Sequence, residues 1–244
     1  MSVDFGRRAA SYDRIRPVDD NWWGVFDLVV AEADLRGHRV LDVGCGTGRL
    51  ARALAERGLA RVWAVDRSRE MLAVARANAP DSVGFKQAPA EDLPFRDGWF
   101  DRAVMWLVAH LVDRPRAFRD AARVLTADGR LAVVTFDPAH FEGFWLNRYF
   151  PSIEHIDRAR FPTADALGKE LREAGFSDIR TVRLSQVKTL AREQALERIH
   201  GRHISTFDLL GDDELRRGTA LAERELPERI DYGLEWLVAI ATKH

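Results

Sequence analysis

The sequence predicts a doubly wound α/β sheet, and three observations carry that prediction. Between residues 39 and 136, short runs of β-branched and large apolar residues alternate with amphipathic helical patterns, the rhythm of parallel strands joined by helices. The first run, Val40-Leu41-Asp42-Val43, passes into the glycine-rich turn Gly44-Cys45-Gly46-Thr47-Gly48, and a helical pattern begins directly after it. At 244 residues, 46% apolar and 31% charged, the chain is also long enough and mixed enough to bury the core of such a sheet.

Residues 1–18 place Phe5, Tyr12, Arg14, Arg16 and Pro17 in an otherwise polar stretch. Asp19-Asp20-Asn21 can cap a helix whose apolar residues Trp22, Phe26, Val29 and Val30 recur at near-helical spacing, with Gly37 as its stop. The strand 39–43 follows. On the next helix Leu50 and Leu54 lie one turn apart, and Gly58 ends it. Residues 61–66 read as a second strand tipped by Asp66. Ser68 caps a helix that includes Met71 and is stopped by Pro80. A third strand covers 82–87, a loop 88–94, and Arg96-Asp97-Gly98 is a turn. A fourth strand at 100–107, a helix over 114–124, a turn at Asp128-Gly129 and a fifth strand at 130–136 complete the alternation. Right-handed crossovers place the C-terminal ends of these strands on one side, where a ligand binds.

Beyond Asp137 the pattern changes. Residues 138–162 are rich in aromatics, Thr163 caps a helix to Ala174, and 177–187 reads as a strand. Residues 190–229 are charged and mostly helical, broken near Gly201 and Gly211. The alternation at 232–241 predicts a last strand, antiparallel to the others and a hairpin partner of 177–187.

Lys and Arg number 37 against 38 Asp and Glu, so no basic excess points to nucleic acid. Cys45 is the only cysteine, which excludes an intrachain disulfide and suits a reducing cytoplasm. No apolar run approaches the ~18 residues of a membrane span, and the N-terminus lacks the apolar stretch of a signal peptide. The expectation is a cytoplasmic protein without a membrane partner.

The glycine turn discriminates between ligands. A dinucleotide site needs Gly-x-Gly-x-x-Gly, whereas here the spacing is Gly44-x-Gly46-x-Gly48 and Arg49 occupies the third position. Asp42, at the ligand end of its strand, repels a pyrophosphate and attracts a cationic amine. A P-loop fails because no Gly-Lys-Ser/Thr follows.

In these residues the chain resembles the class I S-adenosylmethionine-dependent methyltransferases of the small-molecule type. Asp42 to Gly48 matches the first family motif, Asp66 its ribose-binding acid, and Ala90-Glu91-Asp92-Leu93-Pro94-Phe95 the loop that holds the adenine. Met105-Trp106 through His110-Leu111 matches the segment after the fourth strand; Ala122-Arg123-Val124-Leu125 with Asp128-Gly129-Arg130-Leu131 matches the approach to the fifth. Phe5, Ala10-Ser11-Tyr12-Asp13 and Arg16-Pro17 look like the N-terminal segment that lies over the cofactor. The resemblance covers residues 5 to about 137 and extends beyond only in layout.

It implies a Rossmann-like, seven-stranded, mostly parallel sheet with the last strand antiparallel and helical caps inserted, and S-adenosyl-L-methionine as cofactor. It further implies one domain over 1–244, with an N-terminal cap at 1–36, a cofactor-binding core at 37–137 and substrate caps at 138–162 and 190–229. Cofactor contacts then fall on Asp42, Gly44, Cys45, Gly46, Thr47 and Gly48 around the turn. Asp66, Arg67 and Met71 follow after the second strand, Ala90 and Glu91 in the loop, and Trp106 after the fourth strand. Asp66, roughly 20 residues past the turn, suits a bidentate acceptor for ribose hydroxyls, or alternatively an acid at a helix start. Glu91 or Asp92 accepts from the adenine amine, or caps a short helix. Tyr12 and Arg16 reach the cofactor carboxylate, or pack on the surface. Cys45 is a small residue that fits the turn.

The implied reaction is an in-line methyl transfer, which needs a base only if the acceptor arrives protonated. His110 is the catalytic candidate, or a helix-start residue held by the backbone. His140, Trp145, Arg148 and Tyr149 are further candidates, and the aromatics of 141–150 are either core or pocket wall. Arg198, His200, Arg202 and His203 beside Ser205-Thr206 form either a site for an anionic acceptor or a solvated helix face shared with Glu193 and Glu197. No Cys/His cluster has metal-ligand spacing, so metal-independent O- or N-methylation of a small molecule is expected, by a monomer or homodimer. Two other readings stay open: a cofactor-binding protein without transfer activity, and a nicotinamide-dependent oxidoreductase.

Overall fold

The computed structural model describes residues 6–244, so Phe5 lies outside the described residues. The chain enters through α1 (Ala9–Ile15) and α2 (Asp20–Glu32). It then alternates β1 (Arg39–Val43), α3 (Arg49–Glu56), β2 (Arg61–Asp66), α4 (Arg69–Asn78), β3 (Gly84–Gln87), β4 (Phe100–Trp106), α5 (Arg114–Val124) and β5 (Leu125–Phe136). Two short 3₁₀ turns lead to α6 (Ser152–Arg160), α7 (Ala164–Glu173), β6 (Phe176–Ala191), α8 (Arg192–His200), α9 (Asp212–Glu225) and β7 (Arg229–Lys243). Among the described residues the strands form one seven-stranded sheet, ordered β3-β2-β1-β4-β5-β7-β6. β1 to β5 run parallel, and β7 is antiparallel to both β5 and β6, as the sequence predicts.

The sheet is covered on both faces because successive side chains point to opposite sides and both sets are apolar. Leu41, Val43, Val65, Met105 and Val133 pack into one core with α5 and α7. Val40, Val62, Val104, Ala132 and Val134 pack into the other with α2 and α3. The predicted caps hold: Asp19 accepts from the Trp22 amide at 3.0 Å, Ser68 from Met71 at 3.2 Å and Thr163 from Ala166 at 3.1 Å.

Three boundaries differ from the sequence reading. Gly37 does not stop α2; the helix closes at Glu32 and Asp34 takes the left-handed conformation, φ 53°. Asp128-Gly129 does not precede the fifth strand but bulges out of it, since Leu125 pairs with Phe100 while Arg130 pairs with Arg102. The last two strands are also longer than 177–187 and 232–241. Beyond Phe136↔Trp236, the last β5–β7 pair, β6 and β7 continue together from Ser185↔Glu235 to Ala191↔Arg229. In this extension exposed residues alternate with less exposed ones, Leu190, Ile230 and Leu234 being buried. The overhanging ribbon carries α8 and α9, which share a third core built on Phe150, Ile199, Phe207 and Leu226. That core roofs the strand tips. No described helix is long and apolar enough to cross a membrane.

Candidate functional site

The strand order reverses between β1 and β4, and the crevice at such a switch point is where open α/β sheets bind ligands. A cavity of about 720 Å³ opens there, lined by the glycine turn, the tips of β2, β4 and β5, the N-terminal segment and the cap. Because β7 is antiparallel, its early residues Tyr232 and Trp236 reach the same edge as the C-terminal tips of the parallel strands.

At the turn, the amides of Gly44 and Cys45 both donate to Val65 O, at 2.8 and 2.9 Å. Gly44 has φ +70°, and a Cβ there would lie 2.5 Å from Val108 Cγ2. Gly46 has φ +54° but would meet nothing within 4 Å, the open approach a ligand uses. Gly48 does not line the cavity; it is the N-cap of α3, and a Cβ there would meet Ala75 at 3.0 Å. Gly44→Ala should therefore cost ~2 kcal/mol or more of stability through left-handed strain plus the Val108 clash. Gly46→Ala should cost less stability but more ligand affinity. Thermal unfolding and ligand titration of the two variants check the order, and the reverse order removes this assignment.

Two buried acids flank the turn. Asp42 is 2% exposed, and its Oδ2 has no hydrogen-bond partner among the described residues. Burial pushes its pKa up to about 7, the Ala51 amide opposes that, and the Asp66 charge adds to it. Asp66 Oδ2 accepts from the Gly46 amide and Oδ1 from the Ser68 amide, each at 2.8 Å. Its pKa too is raised by burial. Each Asp66 oxygen keeps acceptor capacity for a further donor. An unpartnered buried carboxylate oxygen beside a two-oxygen acceptor fits an ammonium group and a vicinal diol on one ligand.

Arg67, Met71, Ala90, Glu91, Trp106 and His110 also line the cavity, as do Cys45 and Thr47. Glu91 lines the cavity, and its Oε1 accepts from the Asp113 amide at 2.9 Å at the start of α5. Asp92 is not among the lining residues. Tyr12 and Arg16 are pocket residues rather than surface packing, joined by an Arg16 Nη1 to Tyr12 Oη hydrogen bond of 2.9 Å. Asp13 fastens α1 over the turn, accepting from Thr47 Oγ1 at 2.6 Å and Arg49 Nε at 2.8 Å. Arg49, the residue that breaks the dinucleotide pattern, is thus a clasp.

The far wall is aromatic. Trp22 stacks on Trp106 with centroids 5.3 Å apart; Phe136 lies 4.3 Å from both Trp236 and His140; His110 stacks on Phe161 at 4.1 Å. His110 Nδ1 is buried and, among the described residues, has no partner, backbone or side chain. Burial, with Arg160, Arg16 and Arg114 nearby, holds its pKa well below the usual imidazole range. His140 is pushed down to about 4 by burial. Both rings are neutral at pH 7.

The remaining candidates divide. Trp145, Arg148 and Tyr149 do not line the cavity: Tyr149 belongs to the cap core, and Arg148 pairs with Glu225 at 3.1 Å. Of the basic residues on and after α8, Arg198 and His203 are buried and line the cavity; His200 pairs with Glu223 and Arg202 is exposed beside Asp208. The cluster thus turns Arg198 and His203 inward and His200 and Arg202 outward. Sequence reasoning missed the Asp19–Lys188 ion pair, the Asp157–Arg160 pair and Tyr232, all of them in the wall. Asp19 shows only its helix-cap signal, and no spacing links it to Lys188. Among the described residues no three His, Cys, Asp or Glu side chains converge as metal ligands.

A family model for a methyltransferase domain matches residues 41–133. The chain spans about half the length of the first curated relatives it matches, such as methyltransferase GfsG of Streptomyces halstedii, 41% identical over 138 residues (50% of this chain, 49% of that one). The malonyl-[acyl-carrier protein] O-methyltransferase of Geobacter sulfurreducens is 34% identical over 190 residues, covering 72% of this chain and 69% of that one. Among solved structures, an Anabaena variabilis protein superposes with a TM-score of 0.71 at 24% identity, covering 92% of this chain and 98% of that one, which shows the shared fold.

Proposed function

The chain belongs to the class I S-adenosylmethionine-dependent methyltransferases, and we propose that it transfers a methyl group from that cofactor to a small-molecule acceptor under the helical cap. The observation that supports this most is the pair of acids at the glycine turn, Asp42 with its unpartnered buried oxygen and Asp66 with its two acceptors. Bound there, S-adenosylmethionine supplies a methyl group already activated by its sulfonium. The chain's residues have to hold, align and keep dry.

Asp42 would take the ammonium group and Asp66 the ribose hydroxyls, while Arg16 with Tyr12 would take the carboxylate. Ala90 and Glu91 would meet the adenine edge. Arg67, Met71, Cys45, Thr47 and Trp106 would close around the rest. Above them the aromatic wall would align an acceptor for in-line displacement and exclude water, which is where much of the acceleration of such a reaction arises. His110 lines the cavity and is neutral, and its buried Nδ1 is unpartnered among the described residues, so it would accept a hydrogen bond from the O–H or N–H of an acceptor and take the proton as the methyl arrives.

Calorimetry should show binding of S-adenosylhomocysteine and none of NAD; the reverse result would overturn the proposal. His110→Ala should leave S-adenosylhomocysteine affinity unchanged and lower kcat ~100-fold, the scale of a lost general base. Undiminished turnover in that variant would remove the base role from His110.

A further inference from the structure

The cavity is charged unevenly. At the glycine-turn end Asp42, Asp66, Glu70 and Glu91 line it with Arg49 and Arg67, whereas at the cap end Arg16, Arg160, Lys188 and Arg198 stand, among the described residues, with Asp19 and Asp157. Two of those four cations are matched: Arg160 lies 3.3 Å from Asp157, and Lys188 pairs with Asp19. Arg16 meets Tyr12 and, among the described residues, no carboxylate. On the reading above it serves the cofactor carboxylate, which leaves Arg198.

Arg198 is 7% exposed, and among the described residues its guanidinium makes no ion pair and one hydrogen bond, from Nη1 to Tyr232 Oη at 3.1 Å. A guanidinium does not lose its charge in a protein, and burying one without a direct ion pair is costly; the Asp19 carboxylate that feels its charge is already paired with Lys188, so a bound anion would relieve it. Its field is felt by its neighbours, helping to lower the pKa of Lys188, His203 and Asp19. Tyr232 accepts the Arg198 hydrogen bond with its oxygen, so its own hydroxyl proton is free to donate to the same anion. The two groups sit on elements that only the overhanging ribbon brings together, Arg198 on α8 and Tyr232 on β7 opposite Lys188.

Next to this pair the wall is aromatic. Phe144 lies 5.7 Å from the Tyr232 ring and 5.1 Å from His140, which in turn stacks on Phe136. We propose that the acceptor is a planar aromatic carboxylic acid whose carboxylate is held by Arg198 and the Tyr232 hydroxyl, with its ring against Phe144 and His140. Its role as acceptor rests on the methyl-transfer reading; the anion site itself does not.

Hydroxybenzoic acids and the matching hydroxybenzamides, which share shape but not charge, are titrated into the protein with and without saturating S-adenosylhomocysteine. The acids should bind about 10–100-fold more tightly than the amides, the scale of charge-assisted hydrogen bonds. Arg198→Gln should bring that ratio close to one while leaving S-adenosylhomocysteine affinity unchanged. Tyr232→Phe should reduce the ratio severalfold, which keeps the test decisive should Arg198→Gln fold poorly. Equal binding of acid and amide, no acid binding at all, or a ratio that survives both substitutions overturns the proposal. A protein that distinguishes acid from amide but binds no S-adenosylhomocysteine overturns the methyl-transfer reading alone.

Discussion

Replacing Asp42 by asparagine is expected to stabilise the free protein at pH 8 while weakening its hold on S-adenosylhomocysteine. The carboxyl is fully enclosed, and burial with the nearby Asp66 charge pushes its pKa up to about 7 from the usual 3.8. The folded chain therefore binds this proton more tightly than the unfolded chain. Ionising Asp42 costs the native state nothing below about pH 4; the penalty grows as pH rises and is complete above about pH 7. At about 1.4 kcal/mol per pKa unit the gain in Asp42→Asn at pH 8 is about 2–4 kcal/mol, or on the order of 5–10 °C in Tm, and it vanishes towards pH 4. A bound ammonium group requires the ionised form, so ligand affinity of the unmodified protein should fall about tenfold per pH unit below about pH 7 and level off above it. Asp42→Asn should lose that slope and bind about 10–100-fold more weakly at pH 8. Unfolding curves and titration calorimetry at pH 5 to 8 check both arms; the same slope in both proteins would take Asp42 out of the site.

Asp66→Ala should have the largest effect on affinity. The side chain anchors the glycine turn through Gly46 and the start of α4 through Ser68, and it carries the acceptors proposed for the ribose. Its removal leaves two amides unsatisfied and deletes charge-assisted hydrogen bonds, so S-adenosylhomocysteine affinity should drop 100-fold or more, with ~2–4 kcal/mol lost from stability. Asp66→Asn, which keeps an acceptor, should recover part of the stability and little of the affinity. Because the Asp66 charge helps raise the Asp42 pKa, the pH slope of binding should also move to lower pH in Asp66→Asn. Unchanged affinity in Asp66→Ala, measured by calorimetry, would contradict this.

The cofactor end was legible because its chemistry is local. Asp42, Gly44 and Gly46 lie within one turn, and Asp66 is one strand–helix–strand step away, so backbone geometry alone brings them together. Thirteen of the fourteen residues expected to contact the cofactor line the cavity; Gly48 supports the helix behind it instead. The acceptor end was not legible. Trp145 and Tyr149 carry the same aromatic signal as Phe141 and Phe144, yet Phe141 and Phe144 line the cavity and the other two do not. Arg198 and His200 are likewise two residues apart on one helix with opposite fates.

The sequence by itself determined the sheet, its order of elements and the kind of cofactor, since strand patterns, caps and the glycine turn each follow from neighbouring residues. Only the tertiary structure decided which residues of the later chain reach the cavity. Arg16, Trp22, His110, Arg160, Lys188, Arg198 and Tyr232 meet because β6 and β7 run past the sheet edge and fold α8 and α9 back over it. No local periodicity encodes such contacts between distant segments. Whether a buried charge finds its counter-ion within the chain is settled only once every segment is in place, and for Arg198 no described residue supplies a direct ion pair, Asp19 acting on it only at longer range.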